Sequence, residues 1–137
     1  MDMTKRLNIV AMALAVSVCA MASGRKDDAP KQAYLFGVGI SLTDSTAFIT
    51  DIQTVDSLFL NEEGFLPHEA EYSLQMKLYL ANRMNMRDKV CTVFYDDNQK
   101  DLQKQMSKVE GKLKDGGYKD LVRMVKSDFA FVLYKED

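Results

Sequence analysis

Between Asn98 and Gly116 the chain carries its most constraining pattern. Leu102, Met106, Val109 and Leu113 recur at i, i+4, i+7 and i+11 against a strongly charged opposite face, the period of an amphipathic helix. Asp96, Asp97 and Asn98 bring side chains that can cap its first turn, and Gly116-Gly117 ends it by allowing the left-handed conformation. A helix with one apolar stripe must bury that stripe on a second layer. The flanking sequence supplies the layer as strands.

Ala33–Leu42 is rich in aromatic and β-branched residues and reads as a strand, with Gly37 and Gly39 on one face where a helix or another backbone can approach closely. Thr43-Asp-Ser-Thr46 is turn chemistry, so Ala47–Val55 is expected to return as the second arm of a hairpin. A long connection from Asp56 to His68 contains the turn Asn61-Glu-Glu-Gly64, and a helix is expected from about Pro67 to Met86. Its apolar residues spread round most of the circumference; Ala70, Leu74, Leu78 and Ala81 fall on one face. Val90–Phe94, within the strand Lys89–Tyr95, has the continuous apolar character of a central strand. Tyr118–Val125 and Phe129–Tyr134 read as two closing strands. The expected fold is α+β, in the order β-β-α-β-α-β-β: a single sheet of about four to five strands with two helices mainly on one face.

Ahead of this domain, Lys5-Arg6 precedes an uncharged run from Ile9 to Ala22 that ends in Ala20-Met21-Ala22. That is the layout of a secretory signal peptide over residues 1–22, and the run is shorter than the roughly 20 residues a spanning helix needs. Residues 23–32 then read as a flexible mature N-terminus and 33–137 as one α+β domain. Lipid attachment at Cys19 is the alternative fate; the residue before it is Val18, where a small residue is usual. Cleavage would leave 115 of the 137 residues, enough for a core without metal or disulfide staples. It would remove Asp2, Lys5 and Arg6, taking the net charge from −2 to about −3. A mildly acidic domain without a basic stripe is poorly suited to nucleic acid.

Little of the mature sequence carries catalytic chemistry. One cysteine, Cys91, and one histidine, His68, are too few for a zinc cluster, and Asp51, Asp56, Asp96 and Asp97 lack the spacing of a calcium loop; no metal or cofactor is expected. A Cys91–His68 pair is the one conceivable nucleophile and base, for a small hydrolase or thiol enzyme. Two stretches suit recognition instead. Leu58-Phe59-Leu60 and Phe65-Leu66 crowd hydrophobes around a turn, as either a partner-contacting patch or a flap over the sheet. The hairpin containing Ser41 and Thr43–Thr46 offers hydroxyls and an acid to a glycan or peptide.

The block Tyr34-Leu-Phe-Gly37, Ser41, Asp44-Ser45 and Thr50-Asp-Ile-Gln-x-Val-Asp56, with Tyr79-Leu-Ala, Val93-Phe and Ser127-Asp-Phe-x-Phe131, resembles small exported proteins of Bacteroidota-type bacteria. The resemblance implies a periplasmic or secreted setting and carries no activity with it. The expected function is therefore an exported, non-catalytic binding domain for a protein, peptide or envelope polymer, with self-association through the 58–66 loop as a further option. Its candidate contact residues are Asp44, Ser45, Asp51, Gln53, Leu58, Phe59 and Phe65.

Overall fold

Lys31–Ser41 forms the eleven-residue strand β1, and it places every other strand. The computed structural model describes residues 29–136. After β1 come β2 (Thr46–Thr50), β3 (Gln53–Leu60), helix α1 (Glu69–Arg83), β4 (Lys89–Asp96), helix α2 (Gln99–Asp115) and β5 (Asp120–Met124). Tyr34 and Leu35 pair with both β3 and β4, while Val38, Gly39 and Ile40 pair with both β2 and β4. So β4 takes one edge of β1, and β2 and β3 share the other as a bent return strand. All three run antiparallel to β1, and β5 joins β2 in parallel, closing a five-stranded mixed sheet.

The α+β class, the single sheet and the order of strands and helices follow the sequence expectation, and Tyr118–Val125 holds a strand, β5. Other details differ. Lys31 and Gln32, assigned to the N-terminal segment by sequence, already belong to β1; the rest of that segment up to residue 28, the proposed signal segment, its cleavage point and Cys19 lie outside the described residues. The single return strand expected over Ala47–Val55 is two, broken at Asp51-Ile52 and prolonged to Leu60. Phe129–Tyr134 is extended but joins no ladder. β4 is an edge strand, not a central one, since it pairs with β1 alone. Its apolar run arises because both of its faces are covered, with Val93 and Tyr95 in one core and Phe94 in the other.

The helices lie on opposite faces, which corrects the one-face arrangement. Ala33 and Leu35 of β1 share a core with Tyr72, Met76 and Leu80 of α1, whereas Phe36, Val38 and Ile40 pack with Leu102, Val109 and Leu113 of α2. Topology gives the reason. β3, β4 and β5 are mutually parallel, and α1 carries the chain across β1 in one direction while α2 carries it back in the other. Right-handed crossovers travelling in opposite directions put their helices on opposite faces.

The stripe of α2 is buried as its period requires, at Leu102, Val109 and Leu113, and Asn98 caps it by accepting from the Asp101 N–H at 3.0 Å. In α1 the apolar face on Ala70, Leu74 and Leu78 turns outward, both leucines being 48% exposed, and Tyr72, Met76 and Leu80 face the sheet. Met76 and Leu80 reach down onto a sheet thinned by glycine. A Cβ at Gly37 would sit 2.7 Å from Met76 Sδ and 3.1 Å from Phe131 Cζ; one at Gly39 would sit 3.0 Å from Leu80 Cδ1 and 3.2 Å from Cys91 Sγ. The paired glycines are the close-approach surface expected of them.

Gly37→Ala should therefore lower the unfolding free energy by about 1–3 kcal/mol through overpacking. Gly111→Ala, in α2 with nothing within 4 Å of the added carbon, should raise it by roughly 0.5–1 kcal/mol through helix propensity. Urea denaturation of the two variants checks the opposite signs.

Candidate functional site

Five of the seven candidate contact residues are used in holding the protein together, the four polar ones through hydrogen bonds and Leu58 in the core. Asp44 and Ser45 form the β1–β2 turn, where the Asp44 carboxylate accepts from the Thr46 N–H at 2.9 Å and Ser41 Oγ accepts from the N–H groups of Thr43 and Asp44. The Thr46 N–H holds the Asp44 carboxyl below its ordinary pKa. The Ser45 carbonyl accepts from the Asp120 N–H and so ties the turn to the start of β5.

Asp51 and Gln53 hold the segment that follows β5. The Asp51 N–H donates to the Met124 carbonyl at 3.1 Å, and its carboxylate accepts from the Lys126 N–H at 3.2 Å. The buried Gln53 amide donates to the Phe129 carbonyl and accepts from the Phe131 N–H, both at 2.9 Å. On α1, Gln75 repeats the arrangement with Val132, donating to its carbonyl at 2.7 Å and accepting from its N–H at 2.9 Å. The Tyr72 hydroxyl accepts from the Tyr134 N–H at 3.0 Å. Two primary amides thus do for residues 129–132 what a neighbouring strand would do; Gln53 satisfies buried backbone groups that would cost about 1–3 kcal/mol each if unpaired, while the Gln75–Val132 pair is solvent-exposed. Phe129 and Phe131 are buried between α1 and the sheet, in ring contact with Tyr79 and Tyr72. Gln75 gave no signal in the sequence, because a glutamine facing a backbone looks like any polar helix residue.

The 58–66 loop resolves into both of its alternatives. Leu58 and Leu66 are the flap, 3% and 4% exposed in the α1-side core; Phe59 and Phe65 point outward, 42% and 45% exposed. Ser57, at φ 68°, makes the switch: the strand slips a register there, so that Val55 and Leu58 both face the core, and the Gln32 amide bridges the Val55 and Leu58 carbonyls. The tip is built. Asn61 Oδ1 accepts from the N–H groups of Glu63 and Phe65, the Asn61 N–H donates to the Phe65 carbonyl, and Gly64 takes the left-handed turn at φ 86°. Phe59, near the end of β3, and Phe65, at the foot of the closed loop that follows, are therefore presented to solvent, and the loop also exposes Glu62 and Glu63. This loop pairs with the start of β1 and the Asp44 turn follows its end, about 30 Å away at 3.3 Å per residue, so the candidates form two separate surfaces.

The conceivable Cys91–His68 pair is not assembled. Cys91 lies beside Gly39 and Leu80, while His68 opens α1 twelve residues earlier, about 18 Å along the axis. Burial pushes the Cys91 thiol up to about 11, leaving it protonated at neutral pH. His68 instead packs at a 47° tilt against Tyr134, with ring centroids 4.7 Å apart, and faces Glu136 at 3.8 Å. Among the described residues no group of three or more His, Cys, Asp or Glu side chains could hold a metal ion, and no helix is long and apolar enough to cross a membrane. No family model, curated protein or solved structure matches the chain.

The acids at the start of α2 are structural. Burial, opposed by the Asn98 N–H and reinforced by Asp97, pushes the Asp96 carboxyl up to about 6. Its Oδ2 accepts from the buried Gln105 amide at 3.4 Å, while Gln105 Oε1 has no hydrogen-bond partner. A neutral carboxyl could donate to that oxygen once the Gln105 amide rotates; a carboxylate cannot. Asp96 binds its proton more tightly folded than unfolded, so its stabilising contribution is present below about pH 4 and is lost as pH rises through about 6. Asp96→Asn supplies a permanent donor. It should raise the melting temperature at pH 8 by the equivalent of about 1 kcal/mol, the two-unit shift being discounted for solvent screening of a half-exposed group. At pH 4 the difference should vanish, which paired thermal melts would show.

Proposed function

We propose that this protein is an exported, non-catalytic interaction domain whose contact surface is the tip of the 58–66 loop. The observation that carries the reading is the outward placement of Phe59, at the end of β3, and Phe65, on a loop closed by its own hydrogen bonds, while Leu58 and Leu66 beside them serve the core. A loop needed only as a flap could end in polar residues. The signal-like N-terminal sequence supports a periplasmic or secreted setting, as does the resemblance to small exported proteins of Bacteroidota-type bacteria.

Magnitudes narrow the partner. Burying the exposed part of both rings removes roughly 180 Å² from water, worth about 4 kcal/mol. That does not by itself exceed the 4–15 kcal/mol cost of association. Contacts to the rim must add to it, and Glu62 and Glu63 make that rim acidic. The chemistry fits a protein or peptide surface carrying apolar side chains beside basic ones, better than a neutral glycan.

The test is affinity capture from envelope extract with the chain expressed from Ser23, quantified against Phe59→Ser/Phe65→Ser and against Leu74→Ser/Leu78→Ser. The loop variant should lose a captured protein at least tenfold with its melting temperature unchanged, and the helix variant should retain it. Equal capture by all three, or none by the parent, contradicts the reading.

A further inference from the structure

The segment after β5 is attached to the domain in an unusual way. Between Lys126 and Tyr134 the backbone joins no ladder; its contacts come from the side chains of Asp51, Gln53, Tyr72 and Gln75 and from the burial of Phe129 and Phe131. The groove that residues 129–134 occupy lies between α1 and the sheet, where Phe129 and Phe131 join the α1-side core. Covalent connection enters only through the turn at 126–128, where the N–H groups of Asp128 and Phe129 both donate to the Val125 carbonyl.

We infer that this groove accepts the same segment from a second copy of the chain, giving a reciprocally exchanged dimer. The occupant is fixed by what is already seated. The groove reads one segment through two amide pairs, Gln53 on either side of Ala130 at Phe129 and Phe131 and Gln75 on Val132, with the two phenylalanines between the helix and the sheet. A second copy offers identical groups in identical order. Opening the 126–128 turn gives up the two bonds to Val125 and the Lys126–Asp51 bond, and the four peptide steps from Val125 to Phe129 then span about 13 Å, enough to lead the segment away. Closed and exchanged forms contain the same groove contacts and differ only in this turn and in the entropy of association. The segment's own tether presents it at an effective concentration of about a millimolar, so exchange competes when the protein itself reaches that range.

Refolding from denaturant sets the test, using the chain expressed from Ser23. At about 1 mM it should yield a dimer by light scattering that survives dilution to 10 μM for hours and returns to monomer after unfolding and refolding at 10 μM. A second variant, lacking Ser127 and Asp128 so that the turn cannot close, should be dimeric already at 10 μM with native circular dichroism. Three results overturn the inference. One is a dimer that separates at once on dilution, which is surface association. Another is a folded monomer from the shortened chain. The third is a monomer at every concentration, and binding of an added synthetic 126–136 peptide by that monomer would assign the groove to a separate peptide ligand.

Discussion

Strand β1 is the constraint on which the rest of the structure depends. It is hydrogen-bonded along both edges, and its alternation divides the protein into two cores, Ala33 and Leu35 toward α1 and Phe36, Val38 and Ile40 toward α2. Because side chains alternate with period two, a slip of one residue would exchange the cores completely. Phe36 would then meet Met76, and the surface thinned by Gly37 and Gly39 would turn to α2, leaving a void. One strand thus fixes the register and the depth at which each helix sits.

The sequence made the strand and helix order legible because each element has a sharp local signal: the stripe from Leu102 to Leu113, the glycines that end it, and the turn residues between the first two strands. Three features stayed hidden for physical reasons. The face each helix occupies depends on crossover direction, which follows from pairing between distant strands. The buried face of α1 has no distinct signal in the sequence, because Leu74 and Leu78 are as hydrophobic as Met76 and Leu80; Met76 and Leu80 are the ones that meet the sheet where it lacks two Cβ atoms. The Phe129–Tyr134 segment has strand composition because it is extended and buried, yet its hydrogen bonds run to side chains.

The candidate contact residues show the same division. Asp51 and Gln53 stood out as a polar block beside a strand, and polar groups in that position suit a ligand as well as a backbone. Here the ligand is the protein's own chain. The loop hydrophobes separated by alternation around Ser57, which no composition rule reveals because a non-glycine residue at positive φ there is set by tertiary pairing. What remains outward, Phe59 and Phe65 with an acidic rim, is a contact surface whose form the fold does not require.

Native-state hydrogen exchange tests the central claim most directly, that one strand organises both cores and that the segment after β5 is held to them by side chains alone. The amides of Leu35, Phe36 and Val38 should exchange only through global unfolding, with the full stability measured by denaturant. Those of Phe131, Val132 and Tyr134 should exchange through a smaller opening that leaves the sheet intact. Exchange of the β1 amides at lower free energy than the 131–134 amides, or separate unfolding of the α1 and α2 sides, would contradict the account.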